Sequence, residues 1–225
     1  MMDALNQGIQ YMQEQKYEEA AQSFTQAIEE NPEDPLGYVN FGNLLLHMND
    51  LERAERFFQK AIEKDPETAT AHYGLGNVYY EQQKYEQAQE PFQQAIKKGL
   101  EESDAYYMLG LSFLYQEQFK LAMPYLQRAA ELSPEDADVH FQYGLCLAQV
   151  GLLDEATQTF HNVLELNDQH SDAHYNLGVS HLFKEEPYNA LEHFDKAIEI
   201  QSDHMLAMHA KGQVEEMLNS NKEKE

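Results

Sequence analysis

Seven glycines, Gly8, Gly42, Gly76, Gly110, Gly144, Gly178 and Gly212, stand 34 residues apart along the chain. A repeat this regular constrains the fold more than any local motif, because each copy is one small unit that buries its apolar face against its neighbours. The same step carries Ala20 to Ala54, Ala88, Ala122, Ala156 and Ala190, and Phe24 to Phe58, Phe92, Leu126, Phe160 and Phe194. The chain divides without an insertion into units 1–34, 35–68, 69–102, 103–136, 137–170 and 171–204. A single helix over 205–219 and a polar tail over 220–225 complete it.

Inside a unit, apolar residues recur twice at helical spacing: Tyr38, Phe41 and Leu45, then Ala54, Phe57, Phe58, Ala61 and Ile62. A polar break at Asn49 and Asp50 separates the two runs, so each unit reads as a helical hairpin and the chain as one all-α solenoid over 1–219. Pro32, Pro66 and Pro134 close second helices, since the residue before proline disfavours the α region. Asp34, Ser103 and Ser171 are placed to cap the helix that follows, and Pro35 suits its first turn. Pro91 and Pro124 fall inside second helices and predict mild kinks. The glycine at unit position 8 is expected to face the alanine at position 20, where a larger side chain would overpack the contact.

The motif has an aromatic or similar residue at position 4, Leu-Gly at 7 and 8, Tyr at 11, Ala at 20, Phe at 24, Ala at 27 and Pro at 32. It resembles the tetratricopeptide repeat family. "AHYGLGNVYYEQQKYEQAQEPFQQAI" and "AHYNLGVSHLFKEEPYNALEHFDKAI" carry the likeness most fully. The resemblance implies a right-handed superhelical solenoid of antiparallel helix hairpins, six repeats plus a C-terminal capping helix, as in small stand-alone bacterial members of the family. Departures are local: Leu100, Gln169 and Ser202 replace the proline at position 32, and Pro187 stands where position 17 is usually aromatic.

Helical arithmetic at about 100° per residue puts positions 2, 6, 9 and 13 of each first helix opposite the core set, with 5 and 12 beside them. The resemblance implies that this face lines a concave groove that holds a peptide. The residues placed there are Asn6, Asn40, Asn43, Tyr73, Asn77, Tyr80, Asp104, Tyr107, Asp138, Phe141, Tyr175 and Asn176, with Gln13, His47 and Tyr115 near them and apolar Leu5, Ile9 and Val39 alongside. An amide offers both donor and acceptor to a peptide backbone, and tyrosine offers area with a polar tip. All fifteen Lys and Arg residues fall outside these positions, whereas Glu81, Asp104, Asp138 and Asp172 fall on them. A neutral or basic segment is the ligand this predicts. Asp104, Asp138 and Asp172 also sit where a carboxylate favours a helix N-terminus. Family members that clamp acidic tails do so with Lys at position 5 and Lys or Arg at 9. Here Tyr73, Tyr107, Leu111 and Leu145 stand among those places, so that mode is not expected.

Other functions find less support. The formal charge of −25 repels nucleic acid and anionic headgroups. No apolar run approaches the roughly 20 residues of a membrane span, and no signal core precedes the first unit. With one cysteine, Cys146, these features predict a cytoplasmic protein. His170 and His174 have i, i+4 spacing, yet His72, His140 and His174 fall at core position 4, so neither a metal nor a cofactor is expected. Cys146 lacks an adjacent histidine to activate it, and no phosphate-binding glycine loop is present, so no enzyme is expected either. The reading is an interaction scaffold. Its alternative is self-assembly, in which one protomer's end fills a neighbour's groove, with Leu5, Ile9 and Met12 making the amino end a candidate contact.

Overall fold

The computed structural model describes residues 3–222, which contain thirteen α-helices and no strand. In order they are α1 (Ala4–Gln13), α2 (Tyr17–Glu30), α3 (Pro35–His47), α4 (Leu51–Lys64), α5 (Ala69–Glu81), α6 (Tyr85–Lys97), α7 (Ser103–Leu114), α8 (Phe119–Leu132), α9 (Ala137–Val150), α10 (Leu153–Leu166), α11 (Ser171–Phe183), α12 (Pro187–Ile200) and α13 (Met205–Lys222). Each odd-numbered helix through α11 opens a 34-residue unit and each even-numbered one closes it, giving the all-α run of hairpins that the repeat requires. Helix α13 continues to Lys222, and the remainder of the tail, 223–225, lies outside the described residues.

Packing divides into two compact units, one ending at Tyr125 and one beginning at Leu126, inside α8. In the first, hairpins α1–α2, α3–α4 and α5–α6 stack in succession and α7 follows α6; in the second, α9–α10 and α11–α12 stack and α13 closes on α12.

The turn within each hairpin has one recurring geometry. Gln15, Asn49, Gln83, Glu117 and Glu185 all adopt left-handed φ between 56° and 60°, and Gly151 does so at 93°. These six positions are themselves 34 residues apart. The amide of the next residue then reaches back five residues to a carbonyl (Lys16 to Tyr11, Asp50 to Leu45, Lys84 to Tyr79, Gln118 to Phe113, Leu152 to Leu147, Glu186 to His181) at 2.8–3.0 Å, which satisfies the frayed end of the first helix. Only one copy uses glycine, although a Cβ costs roughly 1–2 kcal/mol in this conformation. At Gly151 an added Cβ would meet nothing within 4 Å, so the conformation alone sets the penalty. Gly151→Ala is therefore expected to destabilise by about 1 kcal/mol and Gln83→Gly to stabilise by about 0.5–1 kcal/mol. Urea unfolding midpoints of the two variants check both signs.

The in-register glycines hold the core, but not against alanine. A Cβ on Gly42 would come within 2.8 Å of the Phe58 ring, one on Gly76 within 2.6 Å of Phe92, and one on Gly178 within 2.5 Å of Phe194. Gly8 and Phe24, and Gly144 and Phe160, repeat the arrangement. Ala20, Ala54 and Ala88 are buried, yet the ring at position 24 is what occupies the glycine's space. Helical side chains lean toward their own N-terminus, so a residue one turn further along covers the level that Cα arithmetic gives to position 20. Phe58 is enclosed twice, because Gly74 of the next first helix also closes on it. All five rings are at most 1% exposed.

Two of the three expected caps shift by one residue. Asp34 caps α3, accepting from the Leu36 amide at 2.9 Å. Ser103 and Ser171 are instead the first residues of their helices. The α11 cap is His170, whose Nδ1 accepts from the Ala173 amide at 3.2 Å, and Glu102 precedes α7 without a side-chain cap bond. Pro187 breaks nothing, because it stands at the first turn of α12, where its missing N–H would have no helical partner. Helices α6 and α8 run on through Pro91 and Pro124.

Candidate functional site

First helices touch their counterparts across hairpins in the first unit, α1 with α3, α3 with α5 and α5 with α7. Side chains at unit positions 9, 12 and 13 are thereby brought side by side. A cleft of about 330 Å³ results, lined by Asn43, Leu46, His47, Asn49, Asn77 and Glu81. Asn43, His47 and Glu81 are exposed and Asn77 is half-buried. Asn49 reaches the cleft because its left-handed turn ends α3 there. The His47 ring is anchored by the Tyr17 hydroxyl, 2.8 Å from its Nε2.

Deeper in the same unit, tyrosines form a cluster. Tyr115 stacks on Tyr85 with ring centroids 4.7 Å apart, and Tyr80 stands edge-on to both at 5.3 and 6.0 Å. Burial, and then the neighbouring Tyr115 hydroxyl bonded to it, push the Tyr80 phenol well above its ordinary pKa. Tyr73 is raised by burial as well, although a side-chain bond with Asn77 works against the shift. The cluster is therefore a neutral, hydrogen-bonded aromatic surface, and Tyr115 leaves 53% of itself to solvent.

The sequence-predicted residues fall into three kinds. Asn43, Asn77 and Tyr80 belong to the cleft and the tyrosine cluster of the first unit. Tyr73 packs half-buried against Phe92, with centroids 5.7 Å apart, and Tyr107 is also half-buried. In the second unit Phe141 lies against Phe160 and the capping His170, and Tyr175 against Phe194 and His204. Aromatics at position 5 thus cover the edge of their own hairpin's core. The third kind turns inward on its own helix: Asn40 donates to the Leu36 carbonyl and Asn176 to the Asp172 carbonyl, each at 2.8 Å. This leaves their carbonyl oxygens outward as acceptors. Asn6 is engaged with the cap Asp3, whose carboxylate accepts both its backbone and side-chain N–H groups. Asp104 and Asp138 are exposed in the first turns of α7 and α9.

Val39, expected along the groove, is buried at 4% exposure, while Leu5 and Ile9 pack half-buried on the first core. Sequence reasoning missed Leu46, Asn49 and Tyr85. Leu46 stands at position 12, beside the face that helical rotation turns from the core, Asn49 follows from the turn geometry, and Tyr85 is the aromatic of position 17. No lysine or arginine lines the cleft. The Cys146 thiol is buried, and burial pushes its pKa up to about 11.

Comparison with known proteins agrees with this architecture. A family model for the C-terminal domain of cilia and flagella-associated protein 70 matches residues 4–177, and the tetratricopeptide repeat model matches residues 171–204. The crystal structure of YrrB, described as a tetratricopeptide repeat protein with an unusual peptide-binding site, is 52% identical, covers 85% of this chain and 99% of that one, and superposes with a TM-score of 0.82. The chain belongs to the tetratricopeptide repeat family. The curated repeat-containing protein YrrB of Bacillus subtilis (strain 168) is 60% identical over 40 residues, which span 18% of this chain and 19% of that protein. Pseudomonas aeruginosa PilF shares the fold at 18% identity, with a TM-score of 0.78 over 93% of this chain and 96% of that one. MamA of Desulfovibrio magneticus RS-1 does so at 23% identity, with a TM-score of 0.69 over 76% and 97%. No described helix of this tetratricopeptide repeat protein is long and apolar enough to cross a membrane.

Proposed function

We propose that this tetratricopeptide repeat protein is a non-enzymatic cytoplasmic adaptor that holds a neutral-to-basic peptide segment of another protein against its first helices. The observation that carries the reading is the cleft of the first unit. Asn43 and Asn77 offer amide donors and acceptors there, Glu81 offers a carboxylate, and no cationic side chain lines it. A backbone passing through finds partners independent of its sequence, and a lysine or arginine finds a counter-charge. The tyrosine cluster extends this surface with rigid aromatic area of low entropic cost. In the second unit, Asp138 and the outward oxygen of Asn176 give the same polarity. The peptide-binding site described for YrrB supports a peptide as the ligand class. An affinity near micromolar, about −8 kcal/mol, would suit an adaptor that releases its partner.

Twelve-residue peptides of neutral, lysine- and arginine-rich, and acidic composition, titrated by fluorescence anisotropy, test the reading. Neutral and basic sets are expected to bind and the acidic set not to bind. An Asn43→Ala, Asn77→Ala, Tyr107→Ala variant is expected to weaken binding at least about 10-fold, since each good polar or aromatic contact contributes around 1 kcal/mol. Preference for acidic peptides, or equal binding by the variant, would move the site elsewhere. Light scattering addresses self-assembly, which a concentration-independent monomer mass would remove.

A further inference from the structure

Four of the ten histidines gather in the second unit: His174 and His181 stand at the aromatic unit positions 4 and 11, whereas the hairpin pattern asks nothing of His161 and His193, and the proposed peptide site requires none of the four. His193 of α12 lies at the centre. Its ring centroid is 5.2 Å from His181 and 5.3 Å from His174, both on α11, and 6.4 Å from His161 on α10. The His181 and His193 rings are nearly parallel, at 18°. Three helices thus meet through imidazoles. Among the described residues no three donor side chains are placed to hold a metal ion.

The hydrogen bonds fix where those protons sit. His174 bonds a backbone group of Asp168, six residues before it, as His72 Nε2 does with the Pro66 carbonyl at 3.0 Å. With its proton spent on that carbonyl, His174 Nδ1 is an acceptor, and the His193 Nδ1 at 3.1 Å donates to it. His181 Nδ1 donates to the Glu186 carboxylate at 2.7 Å. Protonating His174 would set two N–H groups against each other across 3.1 Å, and a charge on His193 would add to those that His161 and His174 take up beside it.

We propose that His161, His174, His181 and His193 form an acid-sensitive latch that holds α10, α11 and α12 together and loosens them as His161, His174 and His193 take up protons. The surrounding charges do not cancel this. From α10 come His161 and Glu165; from α11 and its ends come Asp168, His170 and Lys184, the last paired with Asp154 at 3.2 Å. From α12 come Glu186 and Lys196, the latter paired with Glu199, while α13 brings Lys211, paired with Asp195 at 2.6 Å. Of the four imidazoles Glu186 bonds His181, while also accepting from Asn189 at 3.2 Å, and neither His174 nor His193 has a carboxylate bonded to it. Burial first, and then the three neighbouring imidazoles, hold His193 down at about 4 against an ordinary value of 6.5; His161 and His174 are lowered too, each mainly by burial. The unfolded chain therefore binds more protons than the folded one below pH 6.5. Stability present above that pH falls on acidification until the folded pKa is passed.

Urea unfolding of the full chain between pH 7.5 and about pH 5, where most carboxylates are still ionised, tests the latch. Wild type is expected to lose stability with a slope of about two to three protons taken up on unfolding. His193→Phe, which keeps a ring of similar size, is expected to lower that slope by about one proton or more, whereas exposed His209→Gln leaves it unchanged. Hydrogen exchange at about pH 5 is expected to place the early opening in α10–α12. Equal slopes for wild type and His193→Phe, or early opening confined to the first unit, would overturn the proposal. If His193→Phe does not fold, wild-type imidazole titration by NMR decides: a His193 ring that charges near pH 6.5 or above removes the latch.

Discussion

Phe58→Ala is expected to destabilise the first unit by about 3–5 kcal/mol, the range for emptying a large buried aromatic site. The ring is completely buried, and its space is walled by Gly42 of its own hairpin and by Gly74 of the next. Neither wall can move in readily, because both are helix backbone. A partial substitution shows the same contact from the other side. Gly74→Ala is expected to cost about 1–3 kcal/mol, since its Cβ would run into the Phe58 ring, and to become nearly neutral in the Phe58→Ala background. Chemical denaturation of the four proteins of this cycle measures the coupling. Additive effects would mean that the ring and the glycine do not share one space. Asn43→Ala is the control, expected within about 0.5 kcal/mol for an exposed side chain.

Cys146 is expected to react with a thiol reagent at pH 7.5 at least about 100-fold more slowly in the folded protein than after unfolding. The thiolate is the reactive form, and raising the thiol from 9.0 to about 11 by burial removes two decades of it. The side chain is also fully enclosed in α9, so access slows the reaction further. Labelling within a few-fold of the unfolded rate would show that α9 opens frequently. The same result would disagree with Cys146 as a core residue, which is the role that its position beside Gly144 gives it.

The period and the hairpins were legible because they depend only on which residues recur and on helical rotation. What escaped depends on depth and on backbone dihedrals. Gly8 was paired with Ala20 because rotation gives a face without telling how far a side chain reaches along it, and the phenylalanine one turn later fills the space. The left-handed conformation at Gln15, Asn49, Gln83, Glu117 and Glu185 left no trace, since three residue types of ordinary helix or turn preference take a conformation that glycine would have announced. At the candidate site, rotation found Asn43 and Asn77 but could not show Asn40 and Asn176 folding onto carbonyls of their own helices. The histidine cluster was hidden for a related reason: its members stand at unit positions 25, 4, 11 and 23, on three helices of two repeats, so no spacing along the chain connects them.

Phe58 is clasped by its own hairpin and by the first helix of the next. Damage in such an arrangement is passed from neighbour to neighbour and weakens with each step. A hairpin bearing a poor substitution can fray while others remain whole, so a lineage of these chains can try new side chains in one repeat without wagering the entire molecule.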